Sequence, residues 1–252
     1  MTDIRDAHTE VLSLAGRRVA ITGGTTGIGR AIAVLLASEG AQVFVCGHDS
    51  DHLADALARI REVGEGDGAV LDLAEPDHAR GFLEIARERL GGLDAVVLNA
   101  AVAASGISET SEAELRHAIA LNFTAYLLGS HAAAELLEGE GDLVLVGSMS
   151  AHVLGPGSTI YAGIKAGIAG FSEALRRELG PKGIRVGLVE PGKTGSDMQL
   201  PDVPVEKQRE QIREETMLRA EDIAVGVHYM LTQPRRTVVQ QVVITPRAQA
   251  AE

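Results

Sequence analysis

Between Arg18 and Gly40 the chain passes from a short β-branched run, through a glycine-rich turn, into an apolar helical stripe. Arg18 to Thr22 reads R-V-A-I-T, the composition of a buried strand. Gly23 to Gly29 reads G-G-T-T-G-I-G. Ile28, Ile32, Leu35 and Leu36 then recur at helical spacing and stop at Gly40, a C-terminal cap. The alternation continues. Strands are predicted at Gln42 to Cys46, Ala69 to Leu73, Ala95 to Leu98, Leu143 to Val146, Ile184 to Val189 and Val238 to Ile244. Helices between them carry Leu53, Leu57, Ile60 and Val63, then Phe82, Leu83, Ile85, Ala86 and Leu90. A long helix is expected from Ser111 to Leu137, another from near Tyr161 to Leu179, and a last one over Ala220 to Leu231. Strictly alternating strands and helices imply a parallel sheet covered on both faces. Right-handed crossovers then make it doubly wound.

The length of 252 residues suits one α/β domain, 1–252, with a flexible lead-in over 1–14 and a mobile substrate lid over 194–218. A formal net charge of -12 with no basic stripe excludes nucleic acid as a partner. The single cysteine, Cys46, cannot form an internal disulfide, and no paired spacing of metal ligands occurs, so no metal is expected. A polar start, M-T-D-I-R-D, and the lack of a long apolar run favour a cytoplasmic protein without a membrane segment.

Two stretches carry chemistry. Glycines at 23, 27 and 29, with Thr25, Thr26 and Ile28 between them, allow a tight turn whose backbone N–H groups approach a pyrophosphate at a helix N-terminus. The spacing is not G-x-G-x-x-G, since three residues separate Gly23 from Gly27. Farther on, S-M-S-A-H-V-L-G-P-G-S-T-I-Y-A-G-I-K, from Ser148 to Lys165, brings a hydroxyl, a phenol and an ammonium within one segment. Hydride movement at a carbonyl needs a general acid/base for the oxygen. Tyr161 and Lys165 are i, i+4 on one helix face. Bringing a phenol from ~10 to ~7 takes roughly 4 kcal/mol, and a cation at ~4 Å supplies about that much at an effective dielectric of ~20.

These motifs, in this order, resemble the short-chain dehydrogenase/reductase family. They are T-G-x-x-x-G-I-G, N-A at Asn99 and Ala100, Asn122, Ser148, Y-x-x-x-K at 161 to 165, and P-G at Pro191 and Gly192. The resemblance runs from about Leu14 to Ile244 and implies a Rossmann-like fold with a seven-stranded parallel sheet. It implies that Tyr161 is the acid/base, that Lys165 lowers its pKa and holds the nicotinamide ribose, that Ser148 orients the carbonyl, and that Asn122 holds a relay water. Ser150 competes with Ser148 for that role, with spacing favouring Ser148. Asp72 resembles the adenine contact, with Leu73 beside it, though Asp72 could equally cap the next helix. The family's P-G-x-x-x-T reads P-G-K-T-G-S here, leaving Thr194 and Ser196 as alternatives for the carboxamide. Ala101 replaces a glycine of the family's N-N-A-G.

At the end of the second strand Gly47 stands where an acidic ribose ligand would select NAD, and His48 where a phosphate ligand would select NADP. Asp49 works against phosphate. The balance favours NADP(H) over NAD(H). The expected substrate is a ketone or secondary alcohol, medium-sized and mostly uncharged, since Val102, Leu154, Met198 and Leu200 accompany His152 near the site. The resemblance also implies a homodimer or homotetramer. Two rival readings are an NAD-dependent hydroxy-compound dehydrogenase and a non-catalytic dinucleotide-binding sensor.

Overall fold

The computed structural model describes residues 11–248 apart from 138 and 201. Its core is a seven-stranded sheet in the order β3-β2-β1-β4-β5-β6-β7, with every neighbouring pair parallel. The strands are β1 (Arg18–Ile21), β2 (Gln42–Gly47), β3 (Glu65–Val70), β4 (Ala95–Leu98), β5 (Gly141–Val146), β6 (Ile184–Pro191) and β7 (Gln241–Ile244). The helices are α1 (Gly27–Ser38), α2 (Ser50–Arg61), α3 (His78–Leu90), α4 (Glu112–Ile119), α5 (Ala125–Leu136), α6 (Thr159–Leu179), α7 (Val205–Arg213) and α8 (Ala220–Thr232). The expected doubly wound, Rossmann-like architecture is present.

Both faces of the sheet are buried. Along β5, Leu143 and Leu145 enter one core with Phe44, Phe82, Tyr126 and Ile168, while Val144 and Val146 enter the other with Ile32, Leu36, Ile223 and Leu231. That two-sided burial is why β5 reads as a continuous apolar run rather than an alternating one. Strand order reverses between β1 and β4, the place where sheets of this kind hold a crevice at the carboxyl ends of their strands.

One expectation needs correcting. The third strand begins at Glu65 and ends at Val70, ahead of the predicted Ala69 to Leu73. Its pairing with β2 runs through Gly66 and Gly68, where a Cβ would collide with Ile60 and with the Val45 carbonyl. Glycines make this edge strand weakly apolar, so periodicity misplaces it. The lead-in is anchored at its end: Leu12 N–H donates to the Thr232 carbonyl at 2.8 Å and Leu14 is buried. The rest of that lead-in lies outside the described residues. The long helix runs from its cap at Ser111 to Leu137 as expected, with a π turn, Ala120–Thr124, between its two α segments. No helix among the described residues is long and apolar enough to cross a membrane.

Candidate active site

The glycine turn is shaped by close approaches. Gly23 and Gly27 have φ of 62° and 50°, in the left-handed region that favours glycine. A Cβ on Gly29 would lie 2.1 Å from the Gly23 carbonyl oxygen, so α1 packs against the turn only if this residue is glycine. Asn99, at the end of β4, holds the turn from the other side. Its Nδ2 donates to the Thr22 and Gly23 carbonyls at 3.1 and 3.0 Å. The Thr22 hydroxyl in return accepts from the N–H groups of Asn99 and Ala100. Thr26 caps α1 without a side-chain hydrogen bond. The first amides of α1 therefore face the crevice with no side chain competing for them, as a phosphate cradle requires.

Ser148 follows β5 and opens a single 3₁₀ turn, Met149–Ala151. Its Oγ accepts from Ser150 N–H at 3.1 Å and lies 3.1 Å from the Ser150 hydroxyl. The Tyr161 phenol lies near enough to Ser148 for that residue to oppose the rise in its pKa, and Ser150 exerts no such influence. Lys165 is 1% exposed. Its Nζ donates to the Val146 carbonyl at 2.9 Å and lies 5.6 Å from the centre of the Tyr161 ring. Tyr126, which sequence reasoning missed, completes the enclosure. Its ring centre is 5.0 Å from Lys165 Nζ, and its hydroxyl donates to the same Val146 carbonyl at 3.0 Å. The lysine is thus held between two π faces and one backbone oxygen. The available signal was the position of Tyr126 one helical turn beyond Asn122.

The electrostatics differ from the sequence expectation. Burial pushes the Tyr161 phenol up to about 12, against a smaller lowering by Ser148, rather than down toward neutrality. Burial also brings Lys165 down to about 7. Both groups are drawn toward their neutral forms because low-dielectric surroundings penalise either charge. Tyr161 is therefore a protonated acid in this structure. An unfolded lysine titrates near ~10.4. Between about 7 and that value the unfolded chain holds the extra proton, so stability rises with pH. Lys165→Met is expected to abolish this contribution. In urea melts the stability of wild type relative to the variant should climb by roughly 2 kcal/mol from pH 7 to pH 9. Cys46, whose buried thiol is raised to about 12, is common to both proteins and cancels. A pH-independent difference would mean that Lys165 stays charged.

Asn122 sits fully buried in the π turn. Its Oδ1 accepts from Val102 N–H and its Nδ2 donates to the Val102 carbonyl, each at 2.8 Å. Its side chain is thereby fixed to the loop after β4 at both ends of the amide. The π turn stretches the helical ladder, with Ala125 N–H bonding Ala120 O. Such bulges recur at functional sites.

The remaining expected contacts divide. Pro191 is buried at the end of β6, and Gly192 N–H donates to the Ile244 carbonyl. Thr194 is buried and its hydroxyl donates to the Gly192 carbonyl. Ser196 instead faces the glycine turn, its Cβ 3.1 Å from where a Gly27 Cβ would stand. Of the two alternatives, Ser196 is the one placed at the cradle. Asp72 is exposed and its Oδ1 accepts from Ala74 N–H at 2.9 Å, within the turn that leads to α3. Leu73 is taken up by the core beside Leu98. His48 is exposed. Asp49 caps α2, its Oδ1 accepting from Asp51 and His52 N–H. A Cβ on Gly47 would lie 2.3 Å from the Thr25 hydroxyl, so Thr25 occupies the space of an acidic side chain there. Leu154, Met198 and Leu200 are all exposed.

A glycine turn at the topological switch point of a parallel sheet, with a buried lysine and a tyrosine near a serine in the same domain, is the arrangement of a dinucleotide-type α/β fold. The sequence model of the short chain dehydrogenase family matches residues 17–206. The chain belongs to the short-chain dehydrogenase/reductase family and is an oxidoreductase. An uncharacterized oxidoreductase of Methylorubrum extorquens is 35% identical over 182 residues, 71% of this chain and 73% of the relative. A short chain dehydrogenase from Burkholderia cenocepacia J2315, solved in complex with NADP, superposes with a TM-score of 0.82 at 31% identity, covering 93% of this chain and 98% of that one. A dehydrogenase/reductase from Sinorhizobium meliloti 1021 gives 0.83 at 31% identity, covering 94% and 98%.

Proposed function

We propose that this protein reduces a ketone to a secondary alcohol, or runs the reverse, with NADP(H) in preference to NAD(H). The observation that carries the reading is Lys165 enclosed between Tyr126 and Tyr161, with Ser148 beside the Tyr161 phenol, at the carboxyl end of β5. The residues present fit a dinucleotide. Gly23 to Gly29 and the α1 amides would hold its pyrophosphate, Lys165 and Tyr161 its ribose, and the Pro191 to Ser196 loop its carboxamide end. The bound nicotinamide supplies the hydride chemistry. Ser148 Oγ orients the substrate oxygen by hydrogen bond. Tyr161 Oη delivers a proton to that oxygen as negative charge develops on it, and its protonated state near neutral pH suits the reductive direction.

Three features support NADP(H). No acidic side chain stands at Gly47, Thr25 fills that space, and the Asp49 carboxylate is turned onto the α2 amides and held below its usual range by the His52 N–H. His48 is free to meet a 2′-phosphate. His48→Ala is expected to weaken NADPH about tenfold, near the lower end for one charge-assisted hydrogen bond, and to leave NADH within about twofold. Nucleotide fluorescence titrations read both numbers. Equal losses for the two nucleotides would count against the phosphate contact. Ile119 on α4 and Leu128 on α5 stay exposed, which supports a self-associating face on those helices.

A further inference from the structure

Helix α7 has one buried side chain, and it is an amide, Gln208, 7% exposed. An amphipathic surface helix ordinarily anchors itself with hydrocarbon, because a buried polar group is tolerated only where its hydrogen bonds are met. Gln208 meets them with the backbone of the preceding loop. Its Nε2 donates to the Val203 carbonyl at 2.9 Å and to the Ser196 carbonyl at 3.3 Å, so both amide hydrogens are taken. Those two oxygens stand at opposite ends of one segment. Ser196 opens the 3₁₀ turn Asp197–Gln199, and Val203 N–H donates back to the Gln199 carbonyl at 2.8 Å. The Gln208 Oε1 lies against Gly195, where a Cβ would be 3.2 Å away. Gln208 therefore touches the residue before Ser196, the Ser196 main chain and the far end of the loop.

The residue before Ser196 is held by main-chain bonds. Gly195 N–H donates to the Leu218 carbonyl and Leu218 N–H to the Lys193 carbonyl, at 2.9 and 2.8 Å. The Ser196 hydroxyl does not cap the turn that its residue opens. Its Cβ is 3.1 Å from where a Gly27 Cβ would stand, so the side chain borders the glycine turn. This loop arrives from β6, whereas Gly47 ends β2, and the two strands lie on opposite sides of the β1–β4 switch point. A dinucleotide laid across a switch point keeps its adenosine on one half of the sheet and its other nucleoside on the other half. Ser196 approaches from the half opposite β2, the nicotinamide side.

We infer that Gln208 is a positioning residue: it fixes Ser196 so that the serine hydroxyl meets the nucleotide beyond its adenosine phosphate, at the nicotinamide end. Gln208 makes no contact of its own with the nucleotide and acts through Ser196. The inference rests on the proposed dinucleotide site at the glycine turn.

Calorimetric titration with NADPH and with 2′,5′-ADP, which has the adenosine end and no nicotinamide half, separates the two ends of the site. Ser196→Ala is expected to weaken NADPH about fivefold, the loss of one hydrogen bond, and to leave 2′,5′-ADP within about twofold. Gln208→Met keeps the length of the side chain, removes both donors, and is expected to produce the same split. Added to Ser196→Ala, Gln208→Met should bring no further loss of NADPH affinity, because its effect runs through the hydroxyl already removed. A further loss of about fivefold in that double variant overturns the inference, as does a Gln208→Met protein that binds NADPH like wild type. Loss of 2′,5′-ADP along with NADPH in Gln208→Met would assign the amide to the fold at large and overturns it too. A second readout leaves the chain unaltered. The side-chain ¹⁵NH₂ resonances of Gln208, assigned in wild type, shift with NADPH and stay fixed with 2′,5′-ADP. A shift with both ligands, or with neither, overturns the inference. Wild type that binds neither nucleotide would sink the dinucleotide site itself, whereas unchanged affinities in Gln208→Met sink this inference alone.

Discussion

Tyr161→Phe is expected to lower kcat for ketone reduction by about 10²–10⁴-fold, the range for losing a positioned general acid, with nucleotide binding weakened by only about fivefold, the loss of one hydrogen bond to the ribose. The substitution removes one oxygen and little else. The phenyl ring keeps its place against Lys165, whose Nζ is held mainly by the Val146 carbonyl and the Tyr126 ring. Ser148 keeps its bonds to Ser150. The fold loses at most the contact between the phenol and Ser148, worth about 1 kcal/mol, so stability is not the cause of any inactivity. What disappears is the phenolic proton beside Ser148. Single-turnover rates with saturating NADPH isolate that step from product release. Rates within threefold of wild type would end the assignment of Tyr161. A variant that binds no nucleotide would show that the phenol serves the cradle instead.

The parts of this molecule that are local in sequence were readable from it. The glycine turn and the Tyr161–Lys165 pair depend on spacing within one segment, the alternation of strands and helices on the periodicity of each, and all are present. What escaped depends on long-range meetings. Tyr126 and Lys165 converge on the Val146 carbonyl from two helices and a strand. Glu190 and His152 lie 38 residues apart, and only the fold reveals that the acid is buried. The direction of the Tyr161 shift was also out of reach. A sequence shows that an ammonium is near the phenol, but not that both are desolvated enough for burial to outweigh their attraction. Asp49 was weighed as a charge opposing phosphate. Its role as the cap of α2 depends on where that helix starts, which periodicity sets only to within a few residues.

Asp142→Ala is expected to cost about 3–5 kcal/mol of stability, the range for stripping a buried ion pair of one partner. Asp142 starts the second position of β5, at the end of the sheet opposite the crevice. Its carboxylate accepts from Arg185 Nε and Nη2 at 2.5 and 3.0 Å, and from Arg17 Nη2 at 2.6 Å. Arg235 lies 3.4 Å away and is much more exposed. The Arg185 and Asp142 side chains are 8% and 4% exposed, so solvent cannot take over when the acid is removed. Arg185 also donates to the Gln233, Pro234 and Thr237 carbonyls, which fixes the connection between α8 and β7. Losing the carboxylate leaves that guanidinium charged, enclosed and short of acceptors. Because the cluster joins the bases of β5 and β6 to the residue before β1, the whole sheet should feel the loss as one cooperative drop. Urea denaturation would show the midpoint falling with little change in slope. Arg235→Ala, on the exposed side of the same cluster, should cost no more than about 1 kcal/mol. In Asp142→Ala combined with Arg185→Met, the second change removes the stranded charge, so the double variant should be more stable than the two single losses would sum to. Strict additivity in that cycle, or a loss under about 1 kcal/mol for Asp142→Ala alone, would show that water reaches the cluster and that the charges there are solvated separately.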